Sequence, residues 1–188
     1  DIRGTGRITG NQALRGGAIS FERSTFDLFG TAGGILVETN LATEDGGSVH
    51  GVDGWARLGG VVSFITNGAF RGGGVYAEGS TISLFGLAEF DANVAEWGGA
   101  AYIDGSEFEA SDSARFASNE AFEDGGMLYA VGNSRVAMDG NVTVANNFAA
   151  TSGGAMYAEE STVTLGGSVL FDGNEAEDTG GGILADAG

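Results

Sequence analysis

The chain has 188 residues, of which 36 are glycine, and it contains neither proline nor cysteine. Its net charge of −18, from 26 acidic and 8 basic residues, gives a surface that repels phosphate, which argues against nucleic acid as a partner. Without cysteine, disulfides and thiolate metal sites are excluded. No apolar run approaches the roughly 18 residues of a membrane span, so we expect no direct membrane insertion of this segment. An apolar share of 42% instead indicates a packed core.

Seven copies of one motif follow one another along the chain, and each is marked by an asparagine. Successive motif asparagines are separated by 29, 27, 26, 26, 28 and 27 residues. An alanine lies two residues after each one, and a bulky apolar residue lies three residues before it. The seven are Asn11, Asn40, Asn67, Asn93, Asn119, Asn147 and Asn174. Repetition of this kind over the full length indicates a repeat architecture.

A glycine pair follows each asparagine by five or six residues, from Gly16-Gly17 in the first repeat to Gly180-Gly181 in the last. After each pair, apolar residues alternate with a period of two, which is typical of a strand with one buried face. A second strand follows, and a third carries the apolar residue that precedes the asparagine. The sequence therefore predicts three short strands and three turns in each repeat.

The repeat is too short to include a helical crossover, and no hairpin turn is placed to fold every unit back on itself. We therefore expect the chain to wind once per repeat, so that each strand pairs in parallel with its counterpart in the next coil. The predicted fold is all-β, a right-handed single-stranded parallel β-helix of about seven coils that covers residues 1–188 as one array. Because the last residues stop partway through a repeat, we expect the segment to be an excerpt of a longer chain.

The asparagines are predicted to form a structural ladder at one corner of the coil. Stacked side-chain amides can donate to one another while also bonding nearby backbone groups. The alternative, a binding site built from asparagines, is less favoured because the turns themselves need these hydrogen bonds.

Four tyrosines occupy one outward-facing column on the strand after the glycine pair: Tyr76, Tyr102, Tyr129 and Tyr157. We call this column the tyrosine ladder. If exposed, it would contact a glycan or a neighbouring rod. Alternatively, the rings stack from coil to coil and only stiffen the sheet.

Acidic residues follow the tyrosines at the turn, and Glu78 and Asp104 are the candidate calcium ligands because hard cations prefer carboxylate oxygens. The alternative is a row of carboxylates that water and salt keep apart. A glycosylation sequon begins at Asn141. No other cofactor is expected.

Several β-helix families cleave acidic polysaccharides, so catalysis is one candidate function for this fold. The chain has no Asp-Asp pair, its arginines do not form one column, and its only histidine, His50, occupies a tyrosine position. We therefore expect a protein that is not an enzyme and has no catalytic residues.

Two short motifs resemble those of a known family. Phe-x-x-Asn recurs, for example at Phe90 to Asn93 and Phe171 to Asn174, and Gly-Gly-Ala-aliphatic occurs at Gly16 to Ile19. This pairing resembles the repeats of the chlamydial polymorphic outer-membrane proteins and related β-helix surface proteins. Those proteins are autotransporter passengers that act as adhesins, so the resemblance implies a surface-exposed rod without catalytic activity.

The favoured function is a non-enzymatic extracellular structural or adhesive rod, such as an adhesin stalk or a filament subunit, located outside the cell or at its surface. Its partner would be protein, through self-association or further coils, or a surface glycan. One alternative is a carbohydrate-binding module that uses the tyrosine ladder. A polysaccharide lyase or hydrolase is a further alternative.

Overall fold

Alternating apolar and polar residues form strands throughout residues 1–187, the part of the chain that the computed structural model describes. This part contains no helix long and apolar enough to cross a membrane. Its strands are β1 (Ile2–Thr9), β2 (Gln12–Arg15), β3 (Ile19–Glu22), β4 (Thr25–Glu38), β5 (Leu41–Asp45), β6 (Val49–Val52), β7 (Trp55–Ile65), β8 (Val75–Glu78), β9 (Thr81–Asp91), β10 (Val94–Ala95), β11 (Ala101–Asp104), β12 (Glu107–Ala110), β13 (Ser113–Ala117), β14 (Glu120–Ala121), β15 (Leu128–Val131), β16 (Arg135–Met138), β17 (Asn141–Ala145), β18 (Phe148–Ala149), β19 (Met156–Glu159), β20 (Thr162–Leu165), β21 (Ser168–Asp172), β22 (Glu175–Ala176) and β23 (Ile183–Asp186).

All pairings between these strands are parallel and join equivalent positions of successive coils. In the seven-stranded sheet of β3, β6, β8, β11, β15, β19 and β23, Tyr102 pairs with Tyr76 on one side and with Tyr129 on the other. The neighbour Ala101 likewise pairs with Val75 and Leu128. The chain is thus a parallel β-helix, a β-solenoid of about seven coils, as the sequence predicted.

The predicted second and third strands are not separate in every coil. In β4, β7 and β9 they form one continuous strand of 11 to 14 residues, whereas later coils divide them into pairs such as β12 and β13. The continuous strands turn the corner at glycines in the left-handed region, among them Gly60 (φ 71°) and Gly86 (φ 84°). A Cβ at Gly60 would run into the carbonyl oxygen of Gly30 in the preceding coil. Glycine therefore lets the strand bend while its pairing continues.

The segment after each asparagine is also a strand in most coils, which the sequence did not predict. The two-residue strands β10, β14, β18 and β22 form a four-stranded sheet, and β2 pairs with β5. Gly68 connects the two groups through single bridges to Leu41 and Val94. These short strands form a narrow third side of the coil, and the turn after them leads to the glycine pair.

The core lies inside the coils and consists of aligned apolar side chains. Phe64, Phe90 and Phe116 are fully buried, and their rings stack at centroid distances of 4.7 and 5.2 Å. Each belongs to the apolar position three residues before an asparagine. Burial of these three rings stabilises the fold strongly, because each phenylalanine side chain removes roughly 150–250 Å² of its surface from water.

Candidate functional site

The asparagines stack at one corner, where each is hydrogen-bonded to the next coil. Asn93 donates from Nδ2 to Oδ1 of Asn119 (3.0 Å) and to the carbonyl oxygen of Phe64 (2.9 Å). Its own Oδ1 accepts from both the backbone N–H and the Nδ2 of Asn67. The side-chain amide therefore uses both donors and both lone pairs. The side-chain bonds continue through all seven asparagines, from Asn11 to Asn174.

A second ladder, made of serines, lies at the turn after the seven-stranded sheet. The backbone N–H of Ser80 donates to Oγ of Ser106, and Ser106 N–H donates to Oγ of Ser134. Asn133, which directly precedes Ser134, has φ 62° and does not take part in this column. Serine hydroxyls here satisfy turn amides, so this column is structural.

The rings of the tyrosine ladder stack along the rod. Centroid distances are 5.4 Å for Tyr76 and Tyr102, 5.1 Å for Tyr102 and Tyr129, and 4.9 Å for Tyr129 and Tyr157. The ring planes of the last pair differ by only 4°. His50 extends the stack, because its ring lies 5.4 Å from that of Tyr76. The ring faces that a sugar would contact are therefore already used between coils.

The expectation that the tyrosine ladder is exposed is wrong at its first two members. Tyr76 is 2% exposed and Tyr102 is 9% exposed, whereas Tyr129 and Tyr157 are half-buried. The alternation of side chains between the two faces of a strand correctly placed the tyrosines on the outer face of the sheet. A neighbouring part of the coil, however, covers that face.

The cover is supplied by the residues that directly precede each glycine pair, which we call the turn column. These positions lie above one another, because the backbone N–H of the following glycine bonds to the turn-column carbonyl of the next coil, as in Gly46 to Arg71 and Gly125 to Ser152. The turn column consists of Arg15, Asp45, Arg71, Trp97, Asp124, Ser152 and Thr179.

Arg71 covers the first two tyrosines. Its guanidinium carbon lies 4.9 Å from the ring centroid of Tyr76 and 5.4 Å from that of Tyr102. Its Nε donates to Oδ1 of Asp45 over 2.7 Å, and Arg15 Nε lies 3.4 Å from the other oxygen. The Asp45 side chain is 3% exposed, so this carboxylate is buried between two arginines. A carboxylate is stable in a buried position only when it is paired in this way.

Burial also lowers the pKa of His50, although Asp45 partly offsets this effect by raising it. The imidazole is therefore neutral at pH 7, and its Nδ1 lies 3.2 Å from Oγ of Ser20. This places His50 in the packed tyrosine face as one more ring of the stack.

An aromatic cleft of ≈490 Å³ opens beside the arginine. Its walls are Phe70 and Trp97, whose rings meet edge to face at 5.0 Å, and the outer edges of Tyr102 and Tyr129. Arg71, Asp45 and Glu44 close one end. Phe70 is 48% exposed, so the cleft has an apolar wall that faces solvent.

The other end of the tyrosine ladder is acidic. Asp124 follows Trp97 in the turn column and accepts a hydrogen bond from the backbone N–H of Ser152 at Oδ1 (2.9 Å). Burial raises the pKa of Asp124, the Ser152 bond partly opposes this, and the charges of Glu123 and Glu159 raise the pKa further. Within residues 1–187 no ion pair involves Asp124.

Glu78 and Asp104 occupy paired positions on β8 and β11. The Glu78 carboxylate accepts a hydrogen bond from the hydroxyl of Tyr76 (3.1 Å). Among the residues described, no group of three or more histidine or acidic side chains is arranged to hold a metal ion. Calcium at this pair stays a prediction.

Asn141 is exposed at the start of β17, where the following residue, Val142, points into the core. The sequon thus lies on the outer surface of the rod. Glycosylation there also stays a prediction.

Sequence reasoning missed the turn column, although it contains the residues that shape the tyrosine face. Arg71, Asp45 and Trp97 share no residue type, so alignment by similarity does not reveal them. Alignment on the glycine pairs does, because it places residues of opposite charge, Arg15, Asp45 and Arg71, in successive coils.

The fold and its ladders define a repeat protein of the parallel β-helix class. Residues 168–186 match the family model of the Chlamydia polymorphic membrane protein (Chlamydia_PMP) repeat. The matched segment contains Phe171, Asn174 and the last glycine pair, so one repeat of this chain is similar to that family's repeat. This similarity, together with the fold, supports the resemblance of the repeats. Neither a curated protein nor a solved structure shows significant similarity to the chain.

Proposed function

We propose that the chain is a non-enzymatic structural or adhesive rod that acts outside the cell or at its surface. The observation that carries this proposal is the continuous asparagine ladder from Asn11 to Asn174. Because each coil is hydrogen-bonded to the next through buried amides, coils cannot rotate or slide independently. With strands about 4.8 Å apart, seven coils make a stiff rod on the order of 30 Å long.

The charge of the chain supports a role in which the rod stays soluble while it holds a partner. A net charge of −18 keeps such a surface hydrated and disfavours non-specific contact between rods. The match to a polymorphic membrane protein repeat supports the location, since that model describes repeats of membrane proteins of Chlamydia.

Stacking of sugars on the tyrosine ladder is disfavoured by the geometry. The faces of Tyr102 and Tyr129 lie against other rings, and only ring edges and hydroxyl groups point outward. A carbohydrate would need the face of Phe70 or Trp97 instead, in the cleft beside Arg71.

Labelling of intact cells tests the proposed location. An antibody raised against residues 1–187 is applied to intact and to permeabilised cells of the source organism, with an intracellular protein as control. We expect labelling of intact cells and loss of the signal after mild external proteolysis. Labelling only after permeabilisation would contradict the proposal.

A second measurement tests the proposed role. Cells that lack the gene are compared with parental cells in attachment to host or abiotic surfaces and in the integrity of their surface layer. We expect a defect in at least one of these. Turnover of a uronic-acid polymer by the purified chain would overturn the non-enzymatic assignment.

A further inference from the structure

We propose that Tyr129 and Tyr157 form an oxidative cross-linking site, at which a one-electron oxidant joins the two rings by a carbon–carbon bond. The oxidant is of the class that a haem peroxidase forms from hydrogen peroxide. The two tyrosines belong to successive coils and are paired directly between β15 and β19, so the bond ties one coil to the next. This inference goes beyond the proposed function and rests on the proposed location, since the coupling of tyrosines needs oxidising surroundings.

The stacking of the two rings places like atoms opposite one another. Their centroids lie 4.9 Å apart and their planes differ by 4°, which makes them the closest and most nearly parallel pair of the tyrosine ladder. Because the two backbones are also in register, the ring carbon beside the hydroxyl-bearing carbon of Tyr129 faces the same carbon of Tyr157. Two reacting groups that are held in this way couple without first having to meet by diffusion.

The position of this pair in the tyrosine ladder separates it from the other two tyrosines. Tyr76 and Tyr102 are buried, and the guanidinium group of Arg71 lies over both of their rings. A positive charge at this distance opposes the loss of an electron from a ring. Tyr129 and Tyr157 are half-buried, and no arginine in the described part of the chain lies over either ring. An oxidant therefore reacts with this pair first.

The strand places a carboxylate where it can take a proton from Tyr157. On β8 the hydroxyl of Tyr76 donates to the carboxylate of Glu78, two residues further along the strand, over 3.1 Å. Glu159 holds the same position after Tyr157 on β19 and lies on the same face of the sheet. Burial raises the pKa of Tyr157, and the charge of Glu159 raises it further, so the phenol is protonated at pH 7 and must lose its proton together with the electron. Solvent takes the proton of Tyr129, which is half-buried.

The reaction balances as a two-electron oxidation. Each phenol loses one electron and one proton, and the two phenoxyl radicals couple between the ring carbons next to the hydroxyl-bearing carbons. The hydrogen on each coupled carbon leaves as a proton, and one proton returns to each phenol oxygen, so both rings become phenols again. Two hydrogen atoms are lost in all, and they reduce one molecule of hydrogen peroxide to two molecules of water.

The new bond requires the two rings to tilt toward one another, and the end of the ladder favours this movement. Tyr157 is the last ring of the stack, because the next coil pairs Leu184 with it. Tyr129 has a tyrosine ring on both sides, with centroid distances of 5.1 Å to Tyr102 and 4.9 Å to Tyr157. The tilt therefore comes from Tyr157, which has a ring on one side only.

A covalent link between coils suits a rod that has no cysteine. The chain cannot form disulfides, which commonly stabilise proteins outside the cell. Like a disulfide, a bond between two coils restricts the unfolded chain and so stabilises the fold. Coupling of two stacked tyrosines supplies such a bond from residues that the coil already holds together.

The experiment treats the purified chain, mixed from isotopically light and heavy preparations, with a haem peroxidase and hydrogen peroxide. Dityrosine fluorescence measures the coupling, and mass spectrometry of tryptic peptides locates it. Cleavage after Arg115 and Arg135 separates Tyr129 from Tyr157 and from the two other tyrosines, so the link between them has its own peptide pair. A bond within one chain joins peptides of one isotope only, whereas a bond between chains also joins light to heavy.

We expect the main product to be a bond between Tyr129 and Tyr157 within one chain. This bond should be lost in Tyr129→Phe, which keeps the ring but not the phenol. It should be unchanged in Tyr76→Phe, the matched control in the same column. The chain unfolded in urea should lose the preference for this pair, because the stack that aligns the rings is then absent.

Coupling mainly between chains, a main bond at Tyr102, or the same products from folded and unfolded chain would each overturn the proposal. If the variants do not fold, the isotope mixture and the unfolded sample still decide with the parent chain. Failure of the coupling would leave the rod and its location untouched, because the test uses only the purified chain. Failure of the proposed location would be seen in the labelling of cells and not in this reaction.

Discussion

Asn93 donates its side-chain amide to Asn119 of the next coil over 3.0 Å, and both side chains are fully buried. The bond links two coils that are 26 residues apart in sequence and also fixes the corner between them. The stability of the rod should therefore depend strongly on this position.

Replacing Asn93 by Leu should lower the free energy of unfolding by about 3 kcal/mol. The leucine would remove the acceptor of the Asn67 backbone N–H and of one Asn67 Nδ2 hydrogen, and the side-chain donor to the carbonyl of Phe64. Oδ1 of Asn119 would keep only the backbone N–H of residue 93 in this buried site. Denaturant unfolding of the purified variant measures the change. Asn11→Leu is the matched control, because Asn11 is exposed in the first coil and should cost less than about 1 kcal/mol. Equal losses at both positions would show that burial of the ladder is unimportant.

Gly60→Ala should destabilise the chain by more than about 2 kcal/mol, because a side chain there meets both a left-handed backbone and the carbonyl oxygen of Gly30. Gly6→Ala is the control, since a Cβ at Gly6 has no neighbour within 4 Å. It should change the stability by less than about 0.5 kcal/mol. Thermal and denaturant unfolding compare the two. If both variants were equally stable, the bend at Gly60 would not require glycine.

Arg71→Met should cost about 2 kcal/mol, because it leaves the buried carboxylate of Asp45 with Arg15 alone. The loss is smaller than for a fully buried pair because the Arg71 side chain is 34% exposed. Arg115→Met removes an exposed partner of Glu89 and should cost less than about 1 kcal/mol. Denaturation midpoints give both values, and a larger loss for Arg115→Met would contradict this account.

The tyrosine ladder should make the fold sensitive to alkali. Burial, with the neighbouring ladder and acidic groups, raises the pKa of Tyr129 above its ordinary value of about 10. Because the folded state disfavours the ionised form, the stabilisation is complete below about pH 10 and is lost as the pH rises through the folded-state pKa.

Tyr129→Phe keeps the ring stack and removes one ionising group. The variant should therefore lose less stability than the parent between about pH 8 and about pH 11, as followed by melting temperature and tyrosinate absorbance. Tyr76→Phe tests a second member, at which burial also raises the pKa. An identical loss in the parent and in both variants would mean that alkaline unfolding begins elsewhere.

The sequence predicted the coil well because the fold depends on positions that recur in every repeat. The motif asparagines have the same role in every coil, and so has the apolar residue three positions before each of them, such as Phe90 before Asn93. Their spacing alone therefore indicates that the coils stack. The number of separate strands was harder to predict. β7 and β9 continue through Gly60 and Gly86 in the left-handed region, but Gly167 (φ 61°) has the same conformation between the separate strands β20 and β21, so a glycine at the corner does not by itself decide whether the strands join.

The burial of the tyrosine ladder was harder to predict than the coil. The alternation of side chains along a strand shows which face of the sheet a side chain is on but not what covers that face. Tyr76 and Tyr102 are covered by Arg71, which directly precedes a glycine pair and differs in type from its counterparts in the adjacent coils, Asp45 and Trp97. The ion pair with Asp45 joins residues from different repeats. Such contacts follow from the stacking itself and not from the motif.

The asparagine ladder has a direction. Each side-chain oxygen accepts from the coil before it, and each amide nitrogen donates to the coil after it, as Asn40 does between Asn11 and Asn67. Aligned amide dipoles of this kind polarise one another. A whole coil can therefore be duplicated or deleted without changing what its neighbours donate and accept, whereas half a coil cannot. Rods of this type can therefore change length during evolution in steps of one coil, about 4.8 Å each. The outer surface of the coils that lie away from the insertion or deletion is preserved.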